Sequence, residues 1–194
     1  MKLKTSIIVI SGCLGIFLFI MLPIFLSTQG KKDDYVASLK GSAFSLKDVN
    51  NNIVTENSFE GPLTAIFFGF TNCPDICPTT MFELKKIKSE LGKNSKELVV
   101  LFVSLDPERD TPELLSKYIP SFHSSFIGLT GSEEDIIKIA QQFKIYRKKV
   151  IQDDTYTIDH SSGLYLIDKD GKIRIRYPYG TENRLIIQDI EKLI

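Results

Sequence analysis

Few side chains in this 194-residue sequence have chemistry beyond packing and solvation. They are Cys73, Cys77, His123, His160 and the carboxylates around Asp106. The two cysteines stand in Phe67-Phe-Gly-Phe-Thr-Asn-Cys73-Pro-Asp-Ile-Cys77-Pro-Thr-Thr-Met81, each with a proline directly after it. A close thiol pair exchanges disulfides or holds a soft metal, because the thiolate is the active form in both roles. The third cysteine, Cys13, lies in an N-terminal apolar stretch, so one pair is left to the globular part. A domain stapled for stability outside the cytoplasm carries several scattered cysteines. One close pair reads instead as a site.

The elements that must position these residues follow from periodicity. Leu63 to Phe70 is an apolar run behind the turn dipeptide Gly61-Pro62 and predicts a strand buried on both faces. Met81, Leu84 and Leu91 then fall at helical spacing, and Gly92 closes the pattern as a C-terminal cap. The cysteines therefore lie where a central strand turns into a helix. Pro78 suits the first helical position, which makes Cys77 the expected N-cap. Unpaired N–H groups there favour a thiolate.

A Cys-x3-Cys pair by itself leaves several chemistries open. Thioredoxin-type redox motifs have two intervening residues. Zinc would need further Cys or His ligands, for which His123 and His160 suffice in number. Cu(I) accepts fewer ligands and suits thiolate with imidazole. His160 stands in Ile158-Asp-His-Ser-Ser-Gly163 ahead of a core strand, and pairing that strand with the cysteine-bearing one brings it to the thiols; a solvated loop histidine is the plainer alternative. His123, after a helix, reads as a loop residue. Asp106, in Ser104-Leu-Asp-Pro-Glu-Arg-Asp110, ends the second strand at the edge where sheet sites gather, or else caps a turn.

Around this centre the chain predicts a hairpin (Phe44 to Leu46 with Ile53 to Val54) and a second buried strand (Leu98 to Ser104). Asp110 with Glu113 predicts a capping box for a helix running to about Tyr118. Phe126 to Leu129 predicts a strand, and Ser132 with Asp135 caps the helix after it. Residues 145–158, polar and aperiodic, predict a long loop that includes the basic run Arg147-Lys148-Lys149. A closing hairpin turns at Asp168-Lys-Asp-Gly171, and an amphipathic helix ends the chain. The result is an α/β, thioredoxin-like fold with an N-terminal hairpin and an inserted strand–helix.

Ahead of this domain, Ile7 to Leu26 is apolar over about 20 residues, enough to cross a bilayer as a helix. Lys2 and Lys4 predict a cytoplasmic N-terminus. Residues 1–28 thus read as N-terminus and transmembrane anchor, 29–40 as a tether and 41–194 as the domain. Cleavage of the anchor, or lipidation of Cys13 in Ile10-Ser-Gly-Cys13, are the alternatives. With 24 basic and 24 acidic residues the net charge is zero, and nothing recruits nucleic acid.

The cysteine segment, Val103-Ser-Leu-Asp-Pro-Glu-Arg-Asp-Thr-Pro112, Gly128-Leu-Thr-Gly131 and Asp159-His160-Ser161 with Tyr165-Leu-Ile-Asp168 together resemble the Sco/SenC family of membrane-tethered, thioredoxin-like copper proteins. The resemblance implies copper, as Cu(I) or Cu(II), on Cys73, Cys77 and His160. It implies that Asp106 is a residue behind the site or a partner contact. It also implies a copper chaperone, with thiol–disulfide reductase activity left open beside that role, that supports assembly of the CuA centre in subunit II of cytochrome c oxidase, supplied by an upstream copper donor. The implied location is the bacterial inner membrane with the domain on its outer, periplasmic side. Oxidation to a Cys73–Cys77 disulfide would remove both ligand thiolates and release the metal. The rival reading is a membrane-anchored thiol–disulfide oxidoreductase that reduces the cysteines of the CuA site. Against it, Asp159 to Gly163 contains no proline where thioredoxin-type enzymes carry a cis-proline.

Overall fold

The computed structural model describes residues 37–38 and 44–194. The expected transmembrane span and most of the tether lie outside these residues. Among the described residues, no helix is long and apolar enough to cross a membrane. Within the stretch read as a tether, Ala37–Ser38 form strand β1.

The chain then runs β2 (Leu46–Asp48), β3 (Ile53–Val54), β4 (Leu63–Gly69), α1 (Ile76–Glu90), β5 (Leu98–Ser104), α2 (Pro112–Tyr118), β6 (Phe126–Gly131) and α3 (Glu133–Gln142). It continues with β7 (Arg147–Gln152), β8 (Thr155–His160), β9 (Leu164–Ile167), β10 (Lys172–Tyr177) and α4 (Asn183–Leu193). Among the described residues, eight strands form one sheet in the order β1-β10-β9-β4-β5-β6-β2-β3. β4, β5 and β6 are parallel, and β9 joins β4 antiparallel, with Phe67 opposite Leu164. Every residue of β4 is buried, as expected of a strand covered on both sides.

Side-chain alternation along β4 divides the core. Phe67 and Gly69 face α1, where Phe102 and Cys77 pack against them. Phe68 faces the other way and meets Phe143 and Tyr165 at ring-centre distances of 4.9 and 5.9 Å. Tyr165 also donates its hydroxyl to the Phe143 carbonyl at 2.9 Å.

Three expectations are corrected. Residues 147–160 are not an irregular loop: β7 and β8 pair as a separate two-stranded ribbon, with Arg147 opposite His160 and a turn at Asp153-Asp154. The ribbon has little buried face to impose alternation, and Ile151 is 71% exposed. Helix α1 begins at Ile76 with Asp75 as N-cap, so Cys77 lies inside the first turn. Pro78 is tolerated there because none of the first N–H groups has a partner within the helix. Helix α2 is capped by Thr111, whose hydroxyl accepts from Leu114 N–H at 3.3 Å, and not by Asp110. Elsewhere Ser132 caps α3 as expected, and Gly171 takes a φ of +72° in the closing turn.

Candidate functional site

The site forms where the parallel strands end. After Gly69 the chain leaves β4 through buried Phe70, and the Cys73 N–H closes back on the Phe70 carbonyl at 3.2 Å. The loop is fastened from below by Asp110. Its carboxylate accepts Thr71 N–H at 3.0 Å and Thr71 Oγ1 at 2.6 Å, and Ser104 Oγ donates to it at 2.6 Å. Asp110 is fully buried, and burial pushes its carboxyl above the ordinary range against the opposing pull of those bonds. This explains why Asp110 does not cap α2: its side chain holds the cysteine loop. The residue escaped the sequence reading because its spacing to Glu113 also fits a cap.

The two sulfurs are neighbours with unlike surroundings. Cys73 is half-buried and Cys77 is fully buried, and both are free thiols. The Cys77 N–H, at the open end of α1, points at Cys73 Sγ from 3.5 Å. The Cys73 thiol is lowered to about 5, first by the hydrogen bond from the Cys77 thiol, then by the N–H groups of Asp75 and Cys77 and the charge of His160. The Cys77 thiol is pushed far up, by donating that bond and by burial. The two thiols expected to act as a thiolate pair thus differ, the surroundings of Cys73 favouring the thiolate and those of Cys77 the protonated form. Gly69 makes room for the arrangement, because a Cβ there would stand 2.8 Å from Cys77 Sγ. The sequence carried that signal as a glycine within an otherwise large apolar strand.

His160 ends β8. Its ring lies edge-on to Phe70 with centres 5.8 Å apart, and Nδ1 is 2.9 Å from the Ser161 carbonyl. With Nδ1 at that carbonyl, Nε2 is the ring nitrogen left for other work. Among the described residues, no three His, Cys, Asp or Glu side chains converge as a ready-made metal cage. The imidazole is thus a neighbour of the thiol pair, not part of a closed triad.

Asp106 is buried just beyond β5, on the same edge as the cysteines, but its oxygens turn to the ribbon. Tyr156 of β8 donates to one at 2.8 Å and Arg109 Nε to the other at 2.5 Å. Arg109 also bonds the Tyr156 carbonyl, and the guanidinium and the Lys149 ammonium lie 3.8 and 3.7 Å from the Tyr156 ring centre. Asp106 therefore holds the strand that carries His160. The basic run belongs to the same clasp: Arg147 reaches the Leu105 carbonyl and Glu133, and Lys149 pairs with Glu108. His123 stacks on Phe126 and bonds Ser125, ahead of β6 and so at the opposite edge of the sheet.

A thioredoxin-like sheet that presents a thiolate and a buried thiol at a strand-to-helix turn, with an imidazole beside them, defines a dithiol protein of the redox or soft-metal class. The chain belongs to the SCO1/SenC family, whose model matches residues 32–194. The SCO2-like protein of Rickettsia typhi is 42% identical over 171 residues, which cover 86% of this chain and 84% of that one. Bradyrhizobium japonicum ScoI, solved with copper bound, is similar at a TM-score of 0.72 and 37% identity, over 78% of this chain and 97% of that one. BsSco, described with a disulfide switch and as a member of the Sco family of cytochrome c oxidase assembly proteins, aligns at a TM-score of 0.66 and 25% identity, over 84% of this chain and 96% of that one.

Proposed function

We propose that this protein is a copper chaperone that takes its cargo on Cys73, Cys77 and His160 and supports assembly of the CuA centre in subunit II of cytochrome c oxidase. The observation that carries this reading is the thiol pair with the His160 imidazole against the cysteine loop. Two sulfurs and one nitrogen suit a soft monovalent ion and leave room for an incoming ligand. The Bradyrhizobium relative solved with copper and the oxidase-assembly role of BsSco support the same reading. The apolar stretch from Ile7 to Leu26 would hold the domain at the outer face of the inner membrane.

On this reading Cys73 is the entry ligand, since it ionises more readily than Cys77 and is the more exposed of the two. Cys77 must give up its proton as the metal arrives, so loading releases a proton. Delivery proceeds as ligands of the recipient replace these one at a time. The test is transfer: the Cu(I)-loaded full-length chain, mixed with the copper-free soluble domain of subunit II, should pass copper to it, and the Cys73→Ala chain should not. No transfer to that domain, with transfer to another thiol acceptor intact, would remove the proposed client.

A second reading, reduction of the CuA cysteines, is favoured by one observation: the pair is divided into an open thiolate and a buried thiol. Cys73 would attack one sulfur of the client disulfide and expel the other as a thiolate. Cys77, losing its proton, would then attack Cys73 Sγ and release the second client thiolate, leaving a Cys73–Cys77 disulfide.

A further inference from the structure

Among the described residues, three buried side-chain polar atoms have no hydrogen-bond partner, and one is the hydroxyl of Tyr118. Buried hydroxyls nearly always have a partner, so an orphan calls for an explanation. The ring is fixed: Tyr118 ends α2, packs on Phe102 with ring centres 6.0 Å apart and meets Phe122 edge-on at 5.1 Å. Phe102 also borders the buried sulfur. The point where a Cβ would stand on Gly69 is 2.8 Å from Cys77 Sγ and 3.0 Å from Phe102 Cε2. Tyr118 therefore packs on the ring that, with Cys77 Sγ, closes the space at Gly69.

Burial first, and then the ionisable groups of Cys77, Cys73 and Asp110, hold the ionisation of the phenol well above the ordinary range. The phenol is therefore a donor. Of these neighbours, Asp110 already accepts from Thr71 twice and from Ser104. Cys77, as a thiol, is a weak acceptor. Its sulfur becomes a strong one only when it bears the negative charge of a metal thiolate.

We propose that Tyr118 is a positioning residue whose hydroxyl donates to the Cys77 sulfur when that sulfur is a metal-bound thiolate. The orphan donor is then the vacant half of a hydrogen bond that forms on loading, and it stabilises the buried ligand in its charged state. The proposal rests on the pair acting as metal ligands. For that reason its test uses Cd(II) as well as Cu(I): Cd(II) reports thiolate ligation whether or not copper is the natural cargo.

In the full-length chain, Tyr118→Phe keeps the ring and removes only the donor. The dissociation constants for Cd(II) and Cu(I) should rise about tenfold, as for the loss of one hydrogen bond to a charged group. The sulfur-to-Cd(II) charge-transfer band should move to lower energy, because an unbonded thiolate gives up its electrons more readily. The metal-free variant should unfold at no lower urea concentration than wild type, since it lacks a buried group that had no partner. Thr130→Val, which removes another orphan hydroxyl, should leave the metal constants and the band unmoved. Unchanged Cd(II) affinity and band energy in Tyr118→Phe would overturn the proposal, as would a variant too unstable to fold. Weak Cu(I) binding by wild type would instead count against the copper reading alone.

Discussion

Gly69→Ala adds a single methyl group at the point where the strand meets the thiol pair. The new Cβ would lie 2.8 Å from Cys77 Sγ and 3.0 Å from both Phe102 Cε2 and Phe67 Cε1. Ordinary carbon contacts are about 3.5–4.0 Å, so three neighbours must each give way by several tenths of an ångström or more. All three are buried, and overpacking of this kind costs about 1–3 kcal/mol. With a urea slope of about 2 kcal/mol/M, the unfolding midpoint should fall by roughly 0.5–1.5 M. The displaced sulfur should also loosen its bond to Cys73, so the Cys73 thiol should ionise at higher pH in alkylation assays. Gly128→Ala is the matched control. Its Cβ would lie 2.8 Å from Ile119 Cγ1 and 3.3 Å from Leu115 Cβ, with no sulfur among its nearest neighbours. It should lose comparable stability and leave the alkylation profile alone. A Gly69→Ala protein with wild-type midpoint and profile, or a Gly128→Ala protein with the same profile shift, would refute the steric argument.

In wild type, the rate of Cys73 alkylation by iodoacetamide should stay level from neutral pH down to about 6 and fall through about pH 5, following its depressed ionisation. Cys77→Ala removes the supporting donor and should move the inflection upward. Tyr156→Phe deprives buried Asp106 of one of its two side-chain donors at a cost of about 1–2 kcal/mol. It should weaken Cu(I) binding several-fold through the misplaced His160, as read by competition with a chelator. Asp110→Ala strands the Thr71 N–H, the Thr71 hydroxyl and the Ser104 hydroxyl. A loss of about 3 kcal/mol is expected in urea unfolding, with faster cleavage of the cysteine loop by protease.

The strand, loop and helix around the cysteines were legible because burial on both faces of β4 and the helical spacing from Met81 to Leu91 leave strong patterns. The cap at Ser132 and the turn at Asp168 to Gly171 were legible because local side-chain hydrogen bonds define them. The ribbon of β7 and β8 was not. Its strands pair with each other and not with the sheet, and its anchors, Tyr156 and Arg147, act through charge and hydrogen bonds that leave no period. Asp110 was missed for a related reason. Its role depends on Thr71, 39 positions away in the chain. The helix start was misread by two residues, and that shift changed which sulfur the open N–H groups address.

The central claim is that Cys73, Cys77 and His160 act together as copper ligands. The most direct measurement is a Cu(I) titration of the full-length chain, reduced and in the presence of a competing chelator, beside Cys77→Ala and His160→Ala. One tightly bound Cu(I) per chain, with affinity lowered in both variants, is the predicted result. Weak binding by wild type, or a His160→Ala chain that binds as tightly as wild type, would contradict the three-ligand site.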